Sequence, residues 1–124
     1  TQKILHTAKR IYEGSSEKLS LGRIDIARDW GWAPEYVKAM WIMLQQDKSD
    51  DYVIATGVTT TLEDFIGQVF GFYNLDWQEH TSYSKTLFRP LDIQNSCADP
   101  SKAEKLLGWS ARVKMPDLID NLIK

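Results

Sequence analysis

The sequence is poor in the residues that define several protein classes. Of 124 residues only one is cysteine, Cys97, so no internal disulfide can form. With His6 and His80 as the only histidines, a structural zinc site cannot be assembled either. We read Cys97 as a small buried residue and the two histidines as surface or edge residues. Four prolines and seven glycines are too few for a disordered chain. No apolar run approaches the ~20 residues that span a bilayer, and no charged start followed by an apolar stretch marks a signal peptide. There is no basic excess: 15 Lys and Arg against 17 Asp and Glu give a net charge of −2. That argues against a nucleic-acid binder.

Catalytic motifs are missing as well. The glycines stand at 14, 22, 31, 57, 67, 71 and 108, a spacing that makes no dinucleotide-binding or phosphate-binding loop. G-x-S-x-G, H-E-x-x-H and C-x-x-C do not occur. None of the five tyrosines has a lysine four residues on. These gaps speak against a self-contained catalytic site.

What is present fits one domain with one core. Apolar residues make up 43% and charged residues 26%. The chain opens Thr1-Gln2-Lys3 straight into a helical pattern without an initiator Met, which we read as a piece of something longer. Ile4, Ala8, Ile11 and Tyr12 predict a helix over 3–13, with Gly14 as its left-handed stop. Leu19-Ser20-Leu21 reads as a short strand, and a second is expected around 24–27. Pro34 opens a helix whose apolar positions Val37, Met40, Trp41 and Leu44 predict a core face. Residues 52–55 read as a buried strand. Thr60 with Glu63, or Thr61 with Asp64, forms a capping box before a third helix carrying Phe65 and Phe70. Residues 77–80 look extended. Asp99-Pro100 opens a fourth helix that Gly108 ends, and Pro116 opens a fifth. The fold class expected is α/β: small, mainly helical, with short strands.

Three features look able to bind a ligand. Arg28, in Arg28-Asp29-Trp30-Gly31, suits bidentate contact with a phosphate. The alternative is an Arg28–Asp29 surface pair with Trp30 in the core. Arg89 stands beside the stiff Pro90, with Asp92 three residues on as a possible ribose acceptor. Lys3 is either a pocket residue or simply solvated.

The run from Leu21 to Gly31, then Tyr36-Val37-Lys38-Ala39-Met40-Trp41, Met43 to Asp47 and Asp51 to Gly57, resembles the GDP-mannose 4,6-dehydratases, within the extended short-chain dehydrogenase/reductases. Phe88-Arg89-Pro90, Asp99 to Ala103 and Leu107-Gly108-Trp109 continue the likeness across nearly the whole chain. It is to the C-terminal portion of those enzymes. The resemblance implies a nucleotide-sugar-binding domain over 1–124. It would pack on an N-terminal Rossmann domain that holds NADP and the Tyr-x-x-x-Lys pair. The family converts GDP-mannose to GDP-4-keto-6-deoxymannose: a hydride leaves C4 for NADP, water is lost across C5 and C6, and the hydride returns to C6.

By the same resemblance Arg28 and Arg89 face the diphosphate, and Asp92 lies near the ribose or guanine. Lys3 lines the nucleotide pocket, with Leu21 and Gly22 along the base. The chain departs from the family pattern at Gln2, Arg23, Trp32 and Asp92; Asp92 stands in place of glutamate and is one methylene shorter. The implied setting is a cytoplasmic homo-oligomer in the complete enzyme, with a role in GDP-fucose biosynthesis and no nucleic-acid or membrane partner. The alternatives are a stand-alone nucleotide-sugar or protein binding domain, or the matching half of a related epimerase or reductase.

Overall fold

In a computed structural model, which describes residues 1–87 and 93–124, five helices and four short strands follow the chain. Helix α1 spans Gln2–Tyr12, strand β1 Leu19–Leu21, β2 Ala27–Asp29 and α2 Ala33–Leu44. Strand β3 is Thr59–Thr61, α3 Leu62–Phe72 and β4 Thr81–Tyr83, followed by a 3-10 turn at Lys85–Leu87. Helices α4 (Ser101–Leu107) and α5 (Met115–Ile123) complete the fold. It is the small, mainly helical α/β class expected. No helix among the described residues is long and apolar enough to cross a membrane.

The strands form two separate pairs. Parallel β1 and β4 set Leu19 opposite Thr81 and Leu21 opposite Tyr83. Antiparallel β2 and β3 set Ala27 opposite Thr61 and Asp29 opposite Thr59. The second pair also builds the start of α3. The carbonyls of Ile26 and Ile24 accept the amides of Leu62 (2.8 Å) and Glu63 (3.2 Å), and Thr61 Oγ1 accepts that of Asp64 (3.0 Å). Three of the four amides a helix leaves open at its N-terminus are thereby satisfied. The capping box therefore takes the Thr61–Asp64 register, because Thr61 directly precedes the first residue of α3 and its hydroxyl reaches the Asp64 amide.

Two apolar clusters hold the chain together. The larger joins Ile4, Leu5, Ala8 and Ile11 of α1 to Leu19 and Leu21, to Phe65, Ile66, Val69 and Phe70 of α3, and to Met115, Leu118 and Ile119 of α5. Phe65 and Phe70 are completely buried, each stabilising by about 1.5–3 kcal/mol. Trp30 stacks on Phe65 with centroids 5.2 Å apart, as its core reading required. The smaller cluster gathers Ala39, Ala103, Trp109 and Ala111, with Tyr36, Ile42, Tyr52 and Ile54 against it.

Several local expectations are corrected. Val37, Met40, Trp41 and Leu44 of α2 face outward; Trp41 is 61% and Leu44 82% exposed. The helix turns its Tyr36–Ala39–Ile42 side to the smaller cluster instead. Residues 52–55 form no strand, since none of the described strands pairs with them. The second strand lies at 27–29 rather than 24–27, because the carbonyls of Ile24 and Ile26 are taken by the amides of α3. Residues 77–80 are a turn closed by His80 N–H to the Trp77 carbonyl (3.2 Å), and the strand begins at Thr81. Cys97 is exposed, in a stretch without regular structure that packs into neither cluster. At α4 it is Pro100 that stands at the cap, while the Asp99 carboxylate accepts the Ser101 amide (2.9 Å). Gly108, at φ 61°, ends that helix as expected.

Candidate functional site

A groove of about 470 Å³ opens where the start of α1, the end of β1 and the 3-10 turn meet. Lys3 and Ile4 form one wall, Ser20, Leu21 and Gly22 the floor, and Leu62, Thr86 and Leu87 the other wall. Each position has a local cause. Helix α1 buries Ile4 and Leu5, which sends Lys3, one residue earlier, to the rim. There the Lys3 ammonium donates to the Ser20 carbonyl (2.7 Å), so a cation is held at the lip of the groove.

Gly22 follows the last residue of β1 and lies against the backbone of Leu87. A Cβ at this position would stand 2.6 Å from the Leu87 carbonyl oxygen, a distance that real Cβ atoms do not show. Glycine is needed here for close approach of two backbones. The 3-10 turn is fixed to β1 by the Ser84 amide, which donates to the Leu21 carbonyl (2.8 Å). The end of β1 and the 3-10 turn are thus held together as one side of the groove.

Three of the residues singled out in the sequence, Lys3, Leu21 and Gly22, come together here. Arg28 is not among the lining residues. It lies half-buried on β2, with Nη1 donating to the Ala27 carbonyl (2.8 Å). Its strand is tied to the groove wall through the Leu62 amide on the Ile26 carbonyl. Arg89 and Asp92 lie outside the described residues. Leu62, Thr86 and Leu87 were missed in the sequence. Leu62 read only as a helix face, and nothing local connects residues 86–87 with Gly22, 65 positions earlier.

Beside Arg28, Asp29 has a structural task. Its carboxylate accepts the Thr56 amide (3.0 Å), the Thr56 hydroxyl (2.7 Å) and the Gly57 amide (2.9 Å). The Lys114 ammonium donates to the Thr56 carbonyl (2.8 Å). These contacts fix the 56–57 turn, and with it the strand that carries Arg28. Tyr36 packs where a Cβ on Gly31 would be; burial first, then the charges of Asp29 and Glu35, raise its phenol above the ordinary value.

A slightly larger groove, about 540 Å³, lies between Trp32, Lys38, Trp109 and Arg112. It contains none of the candidate binding residues, though Trp32, where the chain departs from the family pattern, lines it. Glu35 closes its base by accepting the amides of Arg112 (3.1 Å) and Val113 (3.2 Å). Among the described residues no group of three or more His, Cys, Asp or Glu could hold a metal ion.

The same fold occurs in dinucleotide-complexed proteins. RMD of Pseudomonas aeruginosa, solved with NADPH, superposes with a TM-score of 0.83 over 98% of this chain and 41% of its own, at 14% identity. The dTDP-glucose 4,6-dehydratase of Bacillus anthracis, solved with NAD, gives 0.81 over 97% of this chain and 37% of its own, at 15% identity. The fold is thus that of a part of such proteins. At the level of sequence, the model of the GDP-mannose 4,6 dehydratase family matches residues 1–122. GDP-mannose 4,6 dehydratase 1 of Arabidopsis thaliana is 43% identical over 123 residues. The chain belongs to the GDP-mannose 4,6 dehydratase family. It spans about a third of the length of the curated relatives it matches, 34% and 33% for the two Arabidopsis proteins.

Proposed function

We propose that this chain is the nucleotide-sugar-binding part of a GDP-mannose 4,6-dehydratase-like enzyme. The observation that carries the reading is the groove that Lys3, Leu21 and Gly22 line together, in a chain of this family. In the reading, Leu21 and Gly22 lie along the base and Lys3 closes the pocket. Arg28 and Arg89 hold the diphosphate, and Asp92 accepts from the ribose or guanine. Guanidinium groups suit this task because two parallel N–H donors match a phosphate edge.

The cofactor of the reading is NADP, which would be held on a Rossmann domain outside this sequence and would supply the hydride-transfer chemistry. The residues of this chain orient the hexose relative to that cofactor. Orientation of this kind contributes up to roughly 7–11 kcal/mol to barrier lowering. With neither a glycine-rich loop nor a Tyr-x-x-x-Lys pair in its sequence, the chain by itself turns nothing over. The complete enzyme is a cytoplasmic homo-oligomer that supplies GDP-fucose biosynthesis.

The test is calorimetric titration of GDP-mannose into this chain co-expressed with the remaining two-thirds of the Arabidopsis relative. Arg28→Ala removes a charge-assisted contact of about 1.5–3 kcal/mol, so Kd should rise roughly tenfold to a hundredfold. Unchanged affinity in both Arg28→Ala and Lys3→Ala would overturn the assignment.

A further inference from the structure

The groove of about 540 Å³ beside α2 lies on the seam between the two apolar clusters. Trp32 and Val113 reach it from the side of the larger cluster, Ile42 and Trp109 from the side of the smaller. Its apolar wall is therefore anchored from both sides. Trp109 is 5% exposed, its indole N–H donates to the Glu35 carbonyl (3.1 Å), and Tyr36 meets it edge-on with centroids 6.0 Å apart. Small-molecule sites of this size pair such a preformed apolar wall with a few placed polar groups. None of the lining residues is shared with the groove of Lys3, Leu21 and Gly22.

The open polar groups here are donors. Lys38 and Arg112 are exposed, and among the described residues neither side chain has a hydrogen bond or an ion pair. The Trp32 indole N–H and the Ser110 hydroxyl have no partner there either. The one carboxylate of the groove, Glu35, is already engaged: one oxygen accepts the Arg112 amide and the other the Val113 amide. Two cations against one carboxylate leave the groove with a net positive charge, and its unengaged donors call for acceptors on the ligand.

We infer that this groove binds a sugar monophosphate, with Lys38 and Arg112 on the phosphate and the sugar ring against Trp32. The chemistry selects the class. An anion answers two unpaired cations, and a phosphate edge matches the fork of a guanidinium. A pyranose carries apolar C–H groups on one face, which pack on an aromatic ring. Its hydroxyls accept from the donors at the rim. A nucleobase would instead bring N–H donors to a rim whose carboxylate is already taken. Trp32 is also a position at which the chain departs from the family pattern, so the indole is a feature of this chain.

The experiment is calorimetric titration of glucose 1-phosphate, inorganic phosphate and glucose, each into this chain co-expressed with the remaining two-thirds of the Arabidopsis relative. Glucose 1-phosphate should saturate with a Kd of about 1 mM or tighter. Inorganic phosphate and glucose should each bind at least about tenfold more weakly, because each makes only half of the contacts. Lys38→Ala and Arg112→Ala should each weaken glucose 1-phosphate about tenfold. Both side chains are exposed and unpartnered, so the urea midpoint should stay unchanged. Trp32→Leu should weaken the sugar phosphate and leave inorganic phosphate as before. Lys105→Ala, at an exposed lysine of α4 outside the groove, should change nothing. Absence of saturable binding overturns the inference, and so does inorganic phosphate that binds as tightly as the ester. Binding that is lost in Lys3→Ala and kept in Arg112→Ala also overturns it, because the ligand then sits in the other groove.

Discussion

Single residues carry unusual weight around the candidate site. Asp29 serves two amides and a hydroxyl of residues 56–57. Asp29→Ala leaves those donors without their acceptor and should cost about 1–3 kcal/mol, read as a lowered urea midpoint. Gly22→Ala forces a Cβ against the Leu87 carbonyl. Because that obstacle is backbone, the groove floor must shift, and a loss of about 1–3 kcal/mol is expected in the same measurement. An unchanged midpoint would show that residues 85–87 move aside freely. Neither role could be read locally. Asp29 has its partners 27 and 28 residues away, and Gly22 has its neighbour 65 away. The sequence singled out both residues, but Asp29 as a surface partner of Arg28 and Gly22 only through the family resemblance.

At the scale of elements, helix starts and an ion pair make the clearest predictions. Thr61→Ala removes the cap of α3 and should cost about 1 kcal/mol, while Thr60→Ala leaves the cap in place. Comparing the two urea midpoints decides the register. Lys102 of α4 ties down residues 50–52, with its ammonium 2.7 Å from Asp50 Oδ1, donating to the Asp51 carbonyl (2.9 Å) and lying 5.2 Å from the Tyr52 ring centroid. The Lys102 hydrogen bond holds the Asp50 carboxyl below its ordinary value, and the Asp50 hydrogen bond raises the Lys102 ammonium. The tether should therefore be intact above the ordinary carboxylate value and be lost as pH falls through the lowered value of Asp50. At the alkaline end it should persist through the ordinary lysine value and be lost as pH rises through the raised one. Carboxyl NMR titration of Asp50 checks the acid limb, since Lys102→Met should move it back towards the ordinary value. Helices α1, α3 and α5 were legible because each has a single apolar side and a marked boundary. The strand expected at 52–55 was not, because strand identity depends on a partner and none of the described residues pairs with it.

At the scale of the whole molecule, two clusters and a groove make one part of a larger enzyme in our reading. The larger cluster places α1, β1 and α3 around the groove, whereas the smaller one presents α2 and residues 52–55 outward. The exposed apolar stripe of α2 and the candidate groove are thus built on different elements and should respond separately. In the assembled protein, GDP-mannose should slow amide exchange at Leu21 and Gly22 without changing that at 53–55. If both regions respond equally, the groove and the smaller cluster are not independent.

The sequence by itself determined the family, the small α/β class and most helix positions, and it singled out Lys3, Leu21 and Gly22 of the groove. Those depend on local periodicity, on caps and breakers, and on motif likeness, all of which are written in neighbouring residues. Only the tertiary structure decided which side of α2 is buried, that Thr61 rather than Thr60 caps α3, that Cys97 is exposed, and that Gly22 meets Leu87. The physical reason is the same in each case. An amphipathic pattern says that a face is apolar and not what covers it. A hydroxyl or a glycine suits several tasks until distant backbone, brought close by the fold, selects one.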